Sequence, residues 1–137
     1  MRRRLLILSA AAAACGALAA GTAPAADEFV KNGPAATILK QDSYLRAGQF
    51  QKLYATFTPG FKSVCPYGKW VLDAPKVRAQ LRGISLKVTG ERIQGPRGFV
   101  DYQYVRNGKV LAAAKGDLYR KVNGVWLDEL DKFTTCS

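Results

Sequence analysis

In the first half of the chain, apolar side chains recur at helical spacing. Intervals of three and four residues separate the members of one stripe, which is formed by Phe50, Leu53, Tyr54 and Phe57. Such a stripe lines the buried face of an amphipathic helix. Similar spacing from residue 35 to Gly48 predicts an earlier helix, and Thr-Pro-Gly at residues 58–60 predicts the end of the second. After a linker that holds Phe61 and Cys65, residues 66–81 are predicted to form one or two further helical pieces.

The second half of the chain predicts antiparallel strands joined by tight turns. From residue 84 to 88, apolar residues alternate with polar ones, which places three apolar side chains on one face of a strand. Asn-Gly pairs at residues 107–108 and 123–124 each separate two strand-like segments. This pair is a strong hairpin signal because a type I′ turn needs positive φ at both central residues. With a turn at residues 95–98, the pattern predicts a four-stranded meander whose last strand covers residues 125–133.

Helices followed by a meander define an α+β fold class, with the N-terminal helices packed on one face of a four-stranded antiparallel sheet. We expect residues 35–137 to form one domain of this kind, since a chain of this length builds one hydrophobic core. A flexible leader is predicted over residues 26–34, where small and polar residues precede the first helix.

The first 25 residues have the pattern of an export signal. Three arginines at residues 2–4 precede an apolar run over residues 5–20, and residues 23–25 form a small-residue cleavage site. Cleavage between Ala25 and Ala26 would release the mature chain. We therefore expect a bacterial protein that is secreted or held in the periplasm or cell envelope.

The cysteines divide into one within the signal and two beyond it. Cys65 and Cys136 are the pair left in the mature chain, and an oxidising compartment favours a disulfide between them. Two buried free thiols are the alternative. Cys15 follows three alanines, a sequence similar to a lipoprotein box, so a lipid anchor on Cys15 is the alternative to secretion.

The balance of charges makes the chain basic. Lys and Arg number 21 against 10 Asp and Glu, and loss of the three arginines of the signal lowers the net charge from +11 to +8. Such a charge favours weak attraction to anionic surfaces. The basic residues are spread thinly along the chain and no recognition motif accompanies them, so no specific nucleic-acid partner is predicted.

The chain contains no histidine. This excludes Ser-His and Cys-His nucleophilic systems and ordinary zinc sites. Asp128, Glu129 and Asp131 gather near the C-terminus, but they lack the spacing of a calcium loop, and alternation along a strand separates Asp128 from the other two. We predict neither a metal nor a cofactor, and acid–base chemistry would depend on carboxylates and tyrosines.

Two carboxylates are candidates for such chemistry. Asp42 lies near the apolar face of the first helix, where a buried carboxylate would act as a general base. The alternative is an exposed ion pair with Arg46, one helical turn further on. Asp101 and Tyr102 are neighbours on the second strand and point to opposite faces. Because Tyr102 shares the more apolar face, we expect Asp101 to point outward.

Two segments resemble the nuclear transport factor 2-like superfamily of cystatin-like α+β domains. They are YLRAGQFQKLYATFTPGF at residues 44–61, where a short step joins two helices, and YRKVNGVWLDEL at residues 119–130, a closing hairpin. The resemblance implies a cone-shaped fold in which a curved sheet surrounds a helix and leaves an apolar pocket. Members include isomerases, dehydratases, epoxide hydrolases and binding domains, and ketosteroid-isomerase-like members pair a helix tyrosine with strand carboxylates. Tyr44 with Asp101 is the nearest analogue here.

Aromatic side chains are the predicted lining of this pocket, namely Tyr54, Tyr102, Tyr104 and Trp126. Packing in the core is the alternative for each of them. The leading hypothesis is an exported, non-enzymatic domain that uses the pocket or the concave sheet face to bind a small apolar ligand or an envelope protein. The alternative is a small exported isomerase or hydrolase that uses carboxylates and tyrosines in the same pocket. A homodimer formed through the sheet is a further arrangement that we consider.

Overall fold

The computed structural model of the protein describes residues 29–130 and Cys136. The predicted export signal with its cleavage site at Ala25 and Ala26, Cys15, and residues 131–133 of the predicted last strand lie outside the described residues. None of the described helices is long and apolar enough to cross a bilayer.

Five short helices come first in the chain. They are α1 (Pro34–Ala47), α2 (Phe50–Ala55), α3 (Pro59–Val64), α4 (Tyr67–Trp70) and α5 (Ala74–Gln80). The predicted break between the first two helices is confirmed at Gly48, which has a left-handed φ of 72° and ends α1. Glycine adopts this conformation without the steric cost that a Cβ brings. The predicted helical region 66–81 consists of two pieces.

The prediction that Thr58-Pro59-Gly60 only ends a helix is wrong in one respect, because these residues also begin the next helix. Thr58 is the N-cap of α3, and its side-chain oxygen accepts a hydrogen bond from the Phe61 amide at 3.3 Å. Pro59 stands in the first turn, where its fixed φ suits a helix and its missing N–H costs nothing. Phe61 is therefore a buried residue of α3 and not part of a linker.

Four antiparallel strands follow in the order β1-β2-β3-β4. They are β1 (Ser85–Gln94), β2 (Arg97–Arg106), β3 (Lys109–Val122) and β4 (Val125–Asp128). Both Asn-Gly turns have positive φ at both residues, 50° and 74° at 107–108 and 50° and 81° at 123–124. The α+β fold class and the meander are thus confirmed.

The pairing of the strands is interrupted beside Asp101. The β1–β2 register shifts between Val88 and Gly90, and the β2–β3 register shifts between Val100 and Tyr102. Extra residues of this kind bend a strand and increase its twist. The Gly116 amide, in the bulged part of β3, donates to Asp101 Oδ1 at 2.7 Å. The Asp101 side chain therefore links β2 to β3 at the bend of the sheet.

The inner face of the sheet packs against α1 and forms the first of two core clusters. Its buried members are Ala35, Ile38, Val88, Val100, Tyr119 and Trp126. The helix begins close to the sheet because Glu91 of β1 accepts hydrogen bonds from the amides of Val30 and Ala35, each at 2.8 Å. A carboxylate at this end of a helix also interacts favourably with the helix dipole. Residues 29–34 of the predicted leader contact the fold here, with Pro34 fully buried.

The second core cluster lies among the short helices. It consists of Leu53, Phe57, Phe61 and Cys65. Phe57 and Phe61 pack edge to face, with ring centroids 5.2 Å apart, an arrangement that aromatic pairs prefer. The predicted disulfide is present between Cys65 and Cys136, which are 71 residues apart, and their Cα atoms are separated by 5.3 Å. It ties the end of the chain to α3.

Candidate functional site

A network of polar side chains lies between α1 and the inner face of the sheet. Gln41 of α1 donates from Nε2 to Asp128 Oδ2 at 3.0 Å and to Thr56 Oγ1 at 2.8 Å. The Tyr119 hydroxyl donates to Gln41 Oε1 at 3.3 Å. Asp117 lies two residues before Tyr119 on β3 and therefore shares its face. We call Gln41, Asp117, Tyr119 and Asp128 the inner polar cluster.

Asp128 is the most perturbed acid of the cluster. It is only 5% exposed, and burial, followed by the negative charge of Asp117, raises its pKa well above the ordinary range, while the Gln41 hydrogen bond opposes the rise. Its Oδ2 accepts from Gln41, whereas Oδ1 has no hydrogen-bond partner among the described residues. Since Oδ2 already accepts a hydrogen bond, the proton of the neutral acid belongs on Oδ1. Asp128 therefore offers an unused donor.

Two tyrosines stand beside this cluster on β2. The rings of Tyr102 and Tyr104 pack edge to face with centroids 5.7 Å apart. Burial raises the pKa of both hydroxyls, to about 12 for Tyr104, where the charge of Asp42 adds to the effect. Both hydroxyls are therefore protonated at neutral pH and able to donate. The directly opposite residues on β3 are Ala112 and Ala114, which have small side chains.

Asp42 and Arg46 lie further along α1, towards the tyrosines. Arg46 Nε donates to Asp42 Oδ2 at 2.8 Å, and this hydrogen bond is the main reason why the pKa of Arg46 is raised. Arg46 Nη1 also donates to the Leu81 carbonyl at 3.2 Å. Asp42 thus forms the ion pair that the sequence offered as the alternative to a buried base.

The other predicted catalytic residues do not come together. Asp101 lies on the outer face of the sheet, where it binds Arg92 Nη1 at 3.1 Å and the Gly116 amide. Tyr44 packs against the helical core cluster, and Lys52 Nζ lies 5.9 Å from its ring centroid. Tyr44 and Asp101 are therefore on different sides of the molecule and form no joint site.

The four aromatic residues predicted to line a pocket are divided between three places. Only Tyr102 and Tyr104 lie next to each other on the inner face. Tyr54 belongs to the helical core cluster, where its hydroxyl donates to the Cys65 carbonyl at 2.8 Å. Trp126 is buried beneath α1 in the sheet core cluster. Core packing, the alternative interpretation, describes Tyr54 and Trp126, and Tyr102 also packs against the sheet core cluster.

Sequence reasoning missed Gln41, Asp117 and Asp128 as members of one site. A signal was present, because the Asn123-Gly124 turn pairs Val122 with Val125, and counting outward along the hairpin pairs Tyr119 with Asp128. An acid directly opposite a core tyrosine faces the core as well. Nothing in the sequence pattern announced that Gln41 would reach them from α1.

Two other features of the described residues were considered as sites. A shallow cleft of about 340 Å³ lies on the helical side, lined by residues 48–52 and Tyr67, and it does not reach the inner polar cluster. Within residues 29–130 and Cys136, no three acidic, cysteine or histidine side chains are placed to hold a metal ion.

Replacement of Asp128 by Asn is expected to stabilise the protein at neutral pH. The folded-state pKa of Asp128 is raised, so as pH rises above about 4 the unfolded chain ionises this group before the folded protein does, and stability falls as pH rises. Because asparagine does not ionise, Asp128→Asn removes this loss of stability at high pH. Its side-chain amide keeps a hydrogen-bond donor at the position of Oδ1. We expect a gain of about 1–2 kcal/mol at pH 7 that disappears near pH 4, measured by urea unfolding at both pH values.

Asp42→Asn is the matched control for this prediction. It also replaces a carboxylate by an amide, but this carboxylate belongs to the partly exposed ion pair with Arg46 on α1. It should destabilise the protein by only a few tenths of a kcal/mol at pH 7. If Asp128→Asn destabilises the protein at pH 7 by more than it does near pH 4, Asp128 is ionised in the folded state.

Comparison with known proteins finds solved structures with a similar fold. No protein-family model matches the chain, and no curated protein sequence does. A protein described as an NTF2-like transpeptidase from Campylobacter jejuni has a similar structure, with a TM-score of 0.56 and 12% identity over 72% of this chain and 99% of that one. A SEC-C motif containing protein from Rhodopseudomonas palustris matches with a TM-score of 0.51 and 20% identity over 72% and 76%.

These neighbours define the fold and not the activity, because both are less than a quarter identical to this chain. The helices followed by a four-stranded meander are an α+β domain. More specifically, the similarity to the Campylobacter jejuni structure supports an NTF2-like fold.

Proposed function

We propose that this protein is an exported, non-enzymatic binding domain that holds a small, largely apolar ligand against the inner face of the sheet. The observation that supports this most directly is Asp128 Oδ1, a buried polar atom with no hydrogen-bond partner among the described residues. Leaving such a group unpaired costs about 1–3 kcal/mol. A ligand that supplies the missing partner would recover this free energy on binding.

The surrounding groups indicate which ligand would fit. Neutral Asp128 and the hydroxyls of Tyr102 and Tyr104 are donors, so the polar end of the ligand should be a hydrogen-bond acceptor such as a carbonyl or ether oxygen. The tyrosine rings with Ala112 and Ala114 offer an apolar wall. A few placed polar groups within an apolar lining are the usual composition of small-molecule sites. An envelope protein that presents such a group is the alternative occupant.

Export belongs to the proposal because residues 1–25 have the pattern of a cleaved signal. The intact mass of the protein recovered from cells tests it. A chain that starts at Ala26, two daltons lighter than the sum of its residues because of the disulfide, is the expected product. A mass increase from lipid on Cys15 would assign the protein to the lipoproteins instead.

An isomerase or hydrolase is the second candidate, since a neutral acid at Asp128 near the carboxylate of Asp117 is the kind of pair that acid–base enzymes use. The transpeptidase described for the Campylobacter jejuni neighbour gains no support from these residues. The chain has no histidine, and Cys65 and Cys136 are joined to each other, so a Cys-His nucleophile is absent from the described residues.

Binding of the ketone-bearing fluorophore prodan tests the proposed function. We expect its emission to shift to the blue and its intensity to rise on titration with the protein, as it leaves water for the inner face. Ala114→Trp fills the space opposite Tyr102 and should weaken binding by tenfold or more, a factor that corresponds to about 1.4 kcal/mol. The neighbouring Ala113 is exposed on the outer face, so Ala113→Trp is the matched control.

Equal binding by the two tryptophan variants would place the fluorophore elsewhere and contradict the proposal. Failure of the unchanged protein to bind prodan would also contradict the proposal, provided that both variants have the melting temperature of the unchanged protein. Conversion of a bound carbonyl compound with the chemical signature of isomerisation or hydrolysis would favour the enzyme instead.

A further inference from the structure

Cations concentrate at the end of the sheet where the β1–β2 and β3–β4 turns lie. Arg97 of β2 and Arg120 of β3 are directly opposite each other in the strand register. Gly98 and Tyr119, their chain neighbours, are buried against α1, so alternation points both arginines outward. Arg92 stands in the next cross-strand row on the same face. Lys121 pairs with the buried Trp126, so its side chain lies on the inner face at the same end of the sheet. We call Arg92, Arg97, Arg120 and Lys121 the turn-end patch.

Only part of this positive charge is neutralised within the protein. Arg92 forms an ion pair with Asp101 at 3.1 Å, and Arg120 forms one with Glu129. Arg97 makes no side-chain hydrogen bond or ion pair with a described residue, and Lys121 only lies over the Trp126 ring at 5.7 Å. The Lys121 amide donates to the Pro96 carbonyl at 2.8 Å. This bond joins the two strands at the end of the sheet, where the Arg97 side chain lies on the outer face and the Lys121 side chain on the inner one.

The arrangement opposes stability rather than serving it. Like charges directly opposite each other on antiparallel strands are destabilising, and the Arg97–Arg120 pair occupies such a position. An anion between the two side chains would turn this repulsion into attraction. Glu129 offsets part of this repulsion through its ion pair with Arg120, and Arg97 is the member of the pair left for an anionic partner.

Apolar side chains accompany the three arginines on the outer face. Phe99 and Leu118 form the row beside Arg92, and the guanidinium carbon of Arg92 lies 5.8 Å from the Phe99 ring centroid. Leu127 pairs with Arg120. At the tip of the β3–β4 hairpin, Val125 is 58% exposed. Cations next to exposed apolar groups suit the boundary between phosphate headgroups and acyl chains.

We propose that the turn-end patch docks the protein onto a bilayer that contains anionic phospholipids, with the arginines at the phosphates and Val125 inserted at the interface. The mixed composition distinguishes this occupant from a soluble polyanion, which would make no use of the apolar tip. Charge also distinguishes it from a second copy of the chain, because self-association here would bring two cationic patches together. The proposal is independent of the ligand proposed for the inner face.

Vesicle co-sedimentation of the mature chain from Ala26, with its disulfide intact, tests the proposal. We expect binding to vesicles of phosphatidylglycerol and phosphatidylcholine, no binding to phosphatidylcholine alone, and release by salt, because attraction is screened beyond about 10 Å at 0.1 M ionic strength. Arg97→Gln with Lys121→Gln should weaken binding roughly tenfold, since each cation near an anionic surface contributes substantially. Lys40→Gln with Lys69→Gln, on exposed helical positions, removes the same charge and should weaken it less than about threefold.

Three results of the binding experiments would overturn the proposal. They are an absence of binding to the anionic vesicles, an equal loss in the two double variants, and binding of soluble polyphosphate that is as tight as vesicle binding and unaffected by Val125→Ser. The single variant Arg97→Gln guards against a folding artefact, because removal of the like-charge pair should leave the melting temperature unchanged or raise it while vesicle binding still falls. Dimerisation of the unchanged protein that Arg97→Glu strengthens would assign the patch to a second copy and also overturn it.

Discussion

Reduction of the Cys65–Cys136 disulfide is expected to lower the free energy of unfolding by about 4 kcal/mol. The bridge closes a loop of 71 residues, and in the chain-entropy model a loop of this size restricts the unfolded chain by an amount of that order. For a domain of about 100 residues, such a loss corresponds to a fall in melting temperature of roughly 15 °C or more. Thermal unfolding followed by circular dichroism, with and without a reducing agent, measures it.

The variant with Cys65→Ala and Cys136→Ala is the control for this prediction. It should melt at a lower temperature than the oxidised protein, and the reducing agent should not change its melt. An unchanged melt of the original protein, together with two thiols that react with a thiol reagent without prior reduction, would show that no bridge forms.

Gly98→Ala should have the next largest effect, a loss of about 3 kcal/mol. A Cβ at this position would lie 2.3 Å from Cγ of Pro34 and 3.1 Å from the ring of Trp126. Both neighbours are buried, and Pro34 begins α1, so neither can move without displacing the helix from the sheet. Overpacking of a filled core costs about 1–3 kcal/mol, and this contact is at the severe end. Urea unfolding measures the change.

Two further variants make the Gly98 prediction specific. Gly60 of α3 has no atom within 4 Å of an added Cβ, so Gly60→Ala should be neutral or stabilise the protein by up to about 1 kcal/mol. Pro34→Ala removes the clashing Cγ and should recover part of the loss when it is combined with Gly98→Ala. Additive effects of Pro34→Ala and Gly98→Ala would show that the two residues do not meet.

The α+β order and the hairpin turns could be predicted from the sequence because they depend on local chemistry. Positive φ at Asn107 and Asn123 is a property of the dipeptide that each begins. The β3–β4 register follows from such a turn by counting, since no bulge interrupts it. The opposition of Tyr119 and Asp128 was therefore within reach of the sequence, and with it half of the inner polar cluster.

The opposite half of the site could not be predicted, because bulges change the count. Counting back from the turn at residues 107–108 places Tyr102 opposite Ala113. In the structure, the register shift between Tyr104 and Val105 places Tyr102 opposite Ala114. An error of one residue exchanges the two faces of a strand. The tyrosines could be assigned to the inner face by their own alternation, but their neighbours on β3 could not.

Hydrogen bonds between side chains and partners far away in the sequence could also not be predicted from the sequence pattern. Glu91 takes the place of an N-cap side chain for α1, whose N-cap residue is Gly33. Gln41 occupies a helix position that polarity alone would place in solvent, yet it joins Thr56, Tyr119 and Asp128. Only the packing of α1 on the sheet brings these partners within reach, and packing is not encoded in local spacing.

The bend at Asp101 divides the sheet into two parts. In one part the packing fixes the volume of the side chains, and in the other part it allows changes of volume. On one side, Gly98, Val100 and Trp126 are locked against the first helix, and a change of volume there disturbs the whole structure. On the other side, the small side chains of Ala112 and Ala114 lie opposite Tyr104 and Tyr102. Substitutions beyond the bend can therefore change the shape of the surface beside Tyr102 and Tyr104 at small cost to the framework that holds it.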